Sequence, residues 1–112
     1  MILYNVTVNV ENEVAEEWLT WMKEVHIPEL MATGYFLKNQ ICRLMNEVEN
    51  GGITYAVQYF CRNLQDLDEY QRDHAPALQA KTANRYGEKA LAFRSVLEIR
   101  ATDVERTSAT AQ

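Results

Sequence analysis

Two histidines, His26 and His74, are the side chains of this chain best suited to proton transfer near neutral pH. His26 stands in the corner Val25-His26-Ile27-Pro28-Glu29, with a carboxylate three residues on. That spacing would set an acid and a base side by side in a pocket. The plainer reading is a histidine at a helix C-terminus, satisfying free carbonyls and suiting the dipole. His74 follows Asp73 near the end of a second helical segment. Arg43 and Arg94 fall in strand-like runs, where an arginine either clamps an anionic ligand or pairs with a carboxylate such as Glu98 across a dimer. The pairing is the preferred reading. Tyr4, Trp18, Trp21, Tyr55 and Tyr59 would line an apolar cavity between sheet and helices, although aromatics at such spacing most often build plain core.

Other chemistries lack their residues. No His/Cys/Asp pattern has metal-ligand spacing, and two antiparallel helices would carry the histidines to opposite ends of the sheet, so neither a metal nor a cofactor is expected. Gly51-Gly52 lies in a hairpin rather than before a helix, which excludes a phosphate-binding glycine loop.

The elements that must position these side chains follow from periodicity. Ile2, Tyr4, Val6, Val8 and Val10 alternate with Leu3, Asn5, Thr7 and Asn9, a strand with one apolar face. Asn12 is a plausible N-cap, and Glu13, Glu16 and Glu17 suit the first turn of the helix that follows. Val14, Trp18, Trp21, Met22 and Val25 form its inner stripe, Pro28 breaks or restarts it, and Gly34 suits its end. Strand two is expected over 36–45. Asn46 to Gly52 is a loop with an Asn50-Gly51 turn signal. Strand three alternates Ile53, Tyr55, Val57, Tyr59 and Cys61 with Thr54, Ala56, Gln58 and Phe60. Asn63 caps helix two, whose inner stripe reads Leu64, Leu67, Tyr70, Gln71 and His74. Pro76 opens a further helical piece and Gly87 closes it. Strand four spans about 89–100, with Leu91, Phe93, Leu97 and Ile99 on one face. From Ala101 to Gln112 the composition reads as a tail.

The order βαββαβ with right-handed crossovers gives an α+β, ferredoxin-like domain over residues 1–100: an antiparallel four-stranded sheet of order 4-1-3-2, both helices on one face. The other face, assigned Asn5, Thr7, Ala56, Gln58, Phe60, Ala92 and Val96, is too apolar for water throughout. A second copy of the sheet is the simplest cover, giving a homodimer of the dimeric α/β-barrel kind.

Composition sets further bounds. A chain of 112 residues with 47% hydrophobic residues makes one domain with its own core. A net charge of -5 argues against nucleic acid and anionic membranes as partners. No apolar run approaches the ~20 residues of a membrane span, and the start lacks a basic leader region, so the expected location is the cytoplasm. A hairpin turning near Asn50-Gly51 would place Cys42 opposite about residue 59 and Cys61 opposite about residue 40, which predicts buried reduced thiols rather than a disulfide.

The run Met1 to Val10, Trp18-Leu19-Thr20-Trp21-Met22, His26-Ile27-Pro28, Gly51 to Phe60 and Ala75-Pro76-Ala77-Leu78-Gln79 together resemble an uncharacterised bacterial family, domain-of-unknown-function family 4286, over residues 1 to about 100. The resemblance implies a ferredoxin-like fold of the dimeric α/β-barrel type and no established activity. More distantly the arrangement is similar to the antibiotic-biosynthesis monooxygenase superfamily, with its cofactor-free oxygenases and haem-degrading enzymes. That likeness would make His74 an iron ligand and Asn5 its strand-one partner. It also calls for a tryptophan near the end of strand three, where this chain has Tyr59, Phe60 and Cys61. Two function classes therefore stand: a homodimer with a small-molecule pocket between sheet and helices, enzymatic or not, and a dimeric interaction module with a filled core. A monooxygenase ranks below both.

Overall fold

Alternating apolar residues form β1 (Ile2–Val10) in the computed structural model, which describes residues 1–46 and 51–102. A 3₁₀ turn (Asn12–Val14) leads into α1 (Ala15–Trp21), a π-helical turn (Met22–His26) and α2 (Ile27–Ala32), all one continuous rod. After Gly34, at φ 86°, the chain forms β2 (Lys38–Arg43) and β3 (Ile53–Cys61). α3 (Leu64–Asp73), α4 (Ala75–Tyr86) and β4 (Ala90–Glu98) complete it. All strand pairs are antiparallel, in the order β2-β3-β1-β4, which is 4-1-3-2 read from the other edge. The fold is α+β and ferredoxin-like. No helix among the described residues is long and apolar enough to cross a membrane. The Asn50-Gly51 turn signal and nearly all of the expected tail lie outside the described residues.

Register fixes which side chains share a face. Tyr4 stands opposite Tyr59 and Val96; Asn5 stands opposite Gln58 and Ser95. The helices cover the Tyr4 side, where Trp18, Tyr59, Tyr70 and Leu67 are almost fully buried. Ala92 and Val96, expected on the uncovered face, pair with Val8 and Tyr4 and so face the helices. The uncovered face carries Leu91, Phe93 and Leu97 instead, and Phe93 is 63% exposed. The ordinary rule, most apolar stripe to the core, is inverted on this edge strand, whose helix-side residues Ala92, Arg94 and Val96 are themselves exposed.

The helices depart from expectation in several places. Asn12 does not cap: Glu11 holds the N-terminal position, and the Asn12 amide donates to the Gly51 carbonyl. Asn63 does cap, accepting from the Asp66 N–H at 2.8 Å. Leu64 and Gln71 are exposed, because the ten residues of α3 bury only the narrow stripe of Leu67 and Tyr70. Of the two outcomes expected at Pro28, a break or a restart, the chain shows no break: Pro28 lies in the first turn of α2, which restarts regular α-helix directly after the π turn. Pro28 cannot donate to the carbonyl four residues back, and the ring crowds that carbonyl. The chain widens ahead of it: the Ile27 N–H bonds to the Met22 carbonyl, five residues back. The extra residue in that turn shifts the inward stripe from Val25, which is exposed, to His26 and Ile27, which are buried.

Both cysteines are free, Cys61 buried and Cys42 exposed rather than buried. Cys42 stands opposite Ala56, three residues from the expected position, on the uncovered face of edge strand β2.

Candidate functional site

The π turn delivers His26 to a cavity of about 50 Å³ between the sheet and the helices. Tyr4 and Tyr59 rise into it from β1 and β3, Trp18 and His26 descend from the first helical rod, and Arg94 closes it from edge strand β4. Tyr70 and Thr82, from α3 and α4, complete the polar part of the wall. Four of the seven expected pocket residues thus share one cavity, joined by Arg94. The other three do not line it. Trp21 stacks on the His26 ring at 4.8 Å with planes 19° apart. Tyr55 packs on Trp18 at 5.0 Å. His74 lies against Tyr35 and Tyr70, at 5.7 and 6.3 Å.

His26 sits mid-helix, so it caps nothing. Its Nε2 is 3.4 Å from the Thr82 hydroxyl, and its Nδ1 is 4.0 Å from Glu29 Oε1, too far for a hydrogen bond. Neither Nδ1 nor Oε1 has a hydrogen-bond partner among the described residues. The other oxygen of Glu29 accepts from Lys81 Nζ at 2.6 Å. Burial lowers the His26 pKa below its usual 6.5; Glu29 opposes this, and Lys81 and Arg94 reinforce it. The imidazole is therefore neutral at pH 7, with one nitrogen donating and one accepting. Burial likewise raises the phenols of Tyr59 and Tyr70, which stay protonated donors.

Arg94 lines the rim of the cavity and remains exposed. No carboxylate of a described residue lies within salt-bridge distance of it, and Glu98 pairs with Arg100 instead. Arg43 lies on β2, the opposite edge of the sheet, so the two arginines do not act together within one subunit. Asn5 also stands apart, on the uncovered face. The haem pair of Asn5 and His74 is consequently split across the sheet, one on each side. Thr82 went unnoticed in the sequence, although Leu78, Thr82 and Tyr86 recur at a spacing of four and all turn inward.

Two larger hollows carry less chemistry. One, about 450 Å³, is walled by Glu11, Glu13, Gly52, Glu88 and Lys89. The other, about 480 Å³, opens between the helices at Trp21, Lys81 and Arg85, whose charges are paired with Glu29 and Glu17. Neither reaches a histidine. Among the described residues no group of three or more His, Cys, Asp or Glu could hold a metal ion.

The uncovered face is organised in rows across the strands. Gln40, Gln58, Asn5 and Ser95 stand side by side, flanked by the rows Lys38-Phe60-Leu3-Leu97 and Cys42-Ala56-Thr7-Phe93. Within the polar row Gln40 donates to Gln58 at 2.6 Å, and Gln58 donates to Asn5 at 3.1 Å; Asn5 in turn donates to Thr7 at 3.0 Å.

Two solved structures share this architecture. One is described as an ethyl tert-butyl ether d (EthD) family protein from Bacillus halodurans C-125: 14% identity, TM-score 0.63, 88% of this chain and 99% of that one. The other is a dimeric ferredoxin-like protein from an uncultured marine organism: 11% identity, TM-score 0.60, 91% of this chain and 97% of that one. At these identities the likeness shows the fold alone. No curated protein matches the chain. A family model described only as a domain of unknown function, DUF4286, matches residues 1–100, and the chain belongs to that family.

Proposed function

We propose that the protein is a sheet-to-sheet homodimer in which each subunit binds a small molecule between its sheet and its helices. The observation that carries the reading is the convergence of a buried neutral histidine, an arginine with no ion pair among the described residues, and three tyrosines on one cavity. Polar groups cost free energy when buried without partners, so their collection at a hole in the core is the ordinary mark of a binding site. A water takes on the order of 10–15 Å³ of such space, so about 50 Å³ admits a fragment of roughly four heavy atoms. Arg94 at the exposed rim lets the remainder of a larger ligand emerge past β4.

The dimer half of the proposal rests on the uncovered face. Leu91, Phe93 and Leu97 are all exposed in the single chain, the first two at 60% or more. Apolar surface of that kind is normally covered, and the dimeric ferredoxin-like structure is a precedent for the architecture. Two sheets stacked this way bury on the order of 2,000 Å² in total.

A second reading, the interaction module without a ligand, has the cavity's size in its favour: drug-sized ligands occupy about 300–1,000 Å³. Native mass spectrometry of freshly purified protein separates the two. The proposal expects twice the 13.0 kDa chain mass plus a small adduct that is absent from Arg94→Ala. A bare dimer, with no adduct and no thermal stabilisation by small organic acids, alcohols or amines, would favour the module. A bare monomer would remove the dimer as well.

A further inference from the structure

The wall of the sheet–helix cavity includes two side chains that can only donate, Trp18 and Arg94, beside groups that can also accept, among them Gln79, Thr82 and neutral His26. Trp18 is 1% exposed, and its indole Nε1, a donor and nothing else, has no hydrogen-bond partner among the described residues. Arg94, also donor-only, reaches the same cavity and forms no ion pair with a described residue. Neutral His26 adds one donor at most, and protonated Tyr59 and Tyr70 add hydroxyls. The one nearby carboxylate, Glu29, is not part of the wall and is neutralised by Lys81 at 2.6 Å. A buried donor left without an acceptor is costly, and a guanidinium beside it favours an acceptor that is charged.

We infer that the cavity binds the carboxylate of a small organic acid, its oxygens held by the Arg94 guanidinium and the Trp18 indole N–H. This rests on the small-molecule reading above and names the ligand's chemical class. A carboxylate matches the planar fork of arginine and presents two oxygens, which a site of two committed donors can satisfy. A phosphate brings more oxygens and charge than these donors match. An ammonium ligand finds no carboxylate on the wall. The hydrocarbon part of the acid rests on Val57, Met22 and Leu78, which supply the apolar side of the cavity.

The chain contains two tryptophans, so a ¹⁵N-labelled sample gives two indole N–H resonances, and Trp21→Phe identifies that of Trp18. The sample is titrated with sodium propionate, with sodium chloride at matched ionic strength, and with 1-propanol as the neutral counterpart. The expected result is a saturable downfield movement of the Trp18 N–H with propionate and none with chloride. In Arg94→Gln, whose side chain lies at the exposed strand edge, the propionate affinity should fall by about tenfold or more. Movement with propanol but not propionate would overturn the carboxylate while keeping the small-molecule reading. No movement with either would overturn both. Equal propionate binding by Arg94→Gln would remove arginine from the site and refute the inference as stated.

Discussion

Both halves of the chain carry a histidine two residues before a proline, His26-Ile27-Pro28 and His74-Ala75-Pro76, and they accommodate it differently. In the second half the helix yields. His74 leaves helical geometry at φ −125°, α3 ends at Asp73, and α4 restarts with Pro76 in its first turn, where a missing N–H costs nothing. In the first half the helix widens instead, and the rod continues through Pro28. The consequence is positional. His26 turns into the cavity, buried and neutral, with Thr82 at one nitrogen and Glu29 beyond the other. His74 stays half-buried against two tyrosines, outside the cavity. One local motif thus yields a cavity-lining residue or a packing residue according to how the helix absorbs the proline.

Trp18→Ala removes a fully buried indole and should cost about 3–5 kcal/mol in denaturant unfolding, whereas Leu64→Ala on exposed α3 surface should change stability by less than about 0.5 kcal/mol. A small loss at Trp18 would mean that the indole serves the cavity more than the core. On the other side of the sheet, Phe93→Asp places a charge at the centre of the proposed interface and should weaken association by about 2 kcal/mol or more. Sedimentation would then shift toward the 13.0 kDa monomer. An unchanged dimer would show that the two copies meet elsewhere.

The prolines themselves give a finer test. Pro28→Ala removes the reason for the widened turn, so the rod should revert toward α-helix and His26 should rotate out of the cavity, which hydrogen exchange and the histidine's titration would report. Pro76→Ala, at a first-turn position, should change stability by about 1 kcal/mol at most. The smallest effect is on pH dependence. Because the folded His26 pKa lies below its unfolded value of 6.5, the unfolded state binds the proton first. Stability from this group is complete above pH 6.5 and declines as pH falls through the folded pKa. His26→Gln should flatten that portion of the stability profile and leave the carboxylate-driven loss at lower pH in place.

Strand order, the helix-covered face of β1 and β3, the Asn63 cap and the Gly34 and Gly87 ends were legible in the sequence because each depends on local periodicity or a single backbone requirement. Tyr4, Trp18 and Tyr59 could be placed on the helix side of the sheet for the same reason, whereas the helical pattern turned Val25 inward rather than His26. The π turn could not be read, since a proline inside an amphipathic pattern permits a break, a kink or a widened turn, and tertiary packing chooses among them. The orientation of β4 was hidden too: Leu91 and Phe93 are more apolar than Ala92 and Arg94, so pattern alone turns them inward. Only the register with β1 shows that Ala92, Arg94 and Val96 lie on the helix side.

The placement of His26 is the claim on which the site depends, and NMR titration of the imidazole C2 protons tests it most directly. Two histidines give two signals, and His26→Gln assigns them. A neutral His26 in the cavity has its midpoint below 6.5, rising toward that value in Pro28→Ala. A midpoint at or above 6.5 in the unaltered protein would place His26 in water or in an ion pair with Glu29, and would contradict a neutral histidine in the cavity.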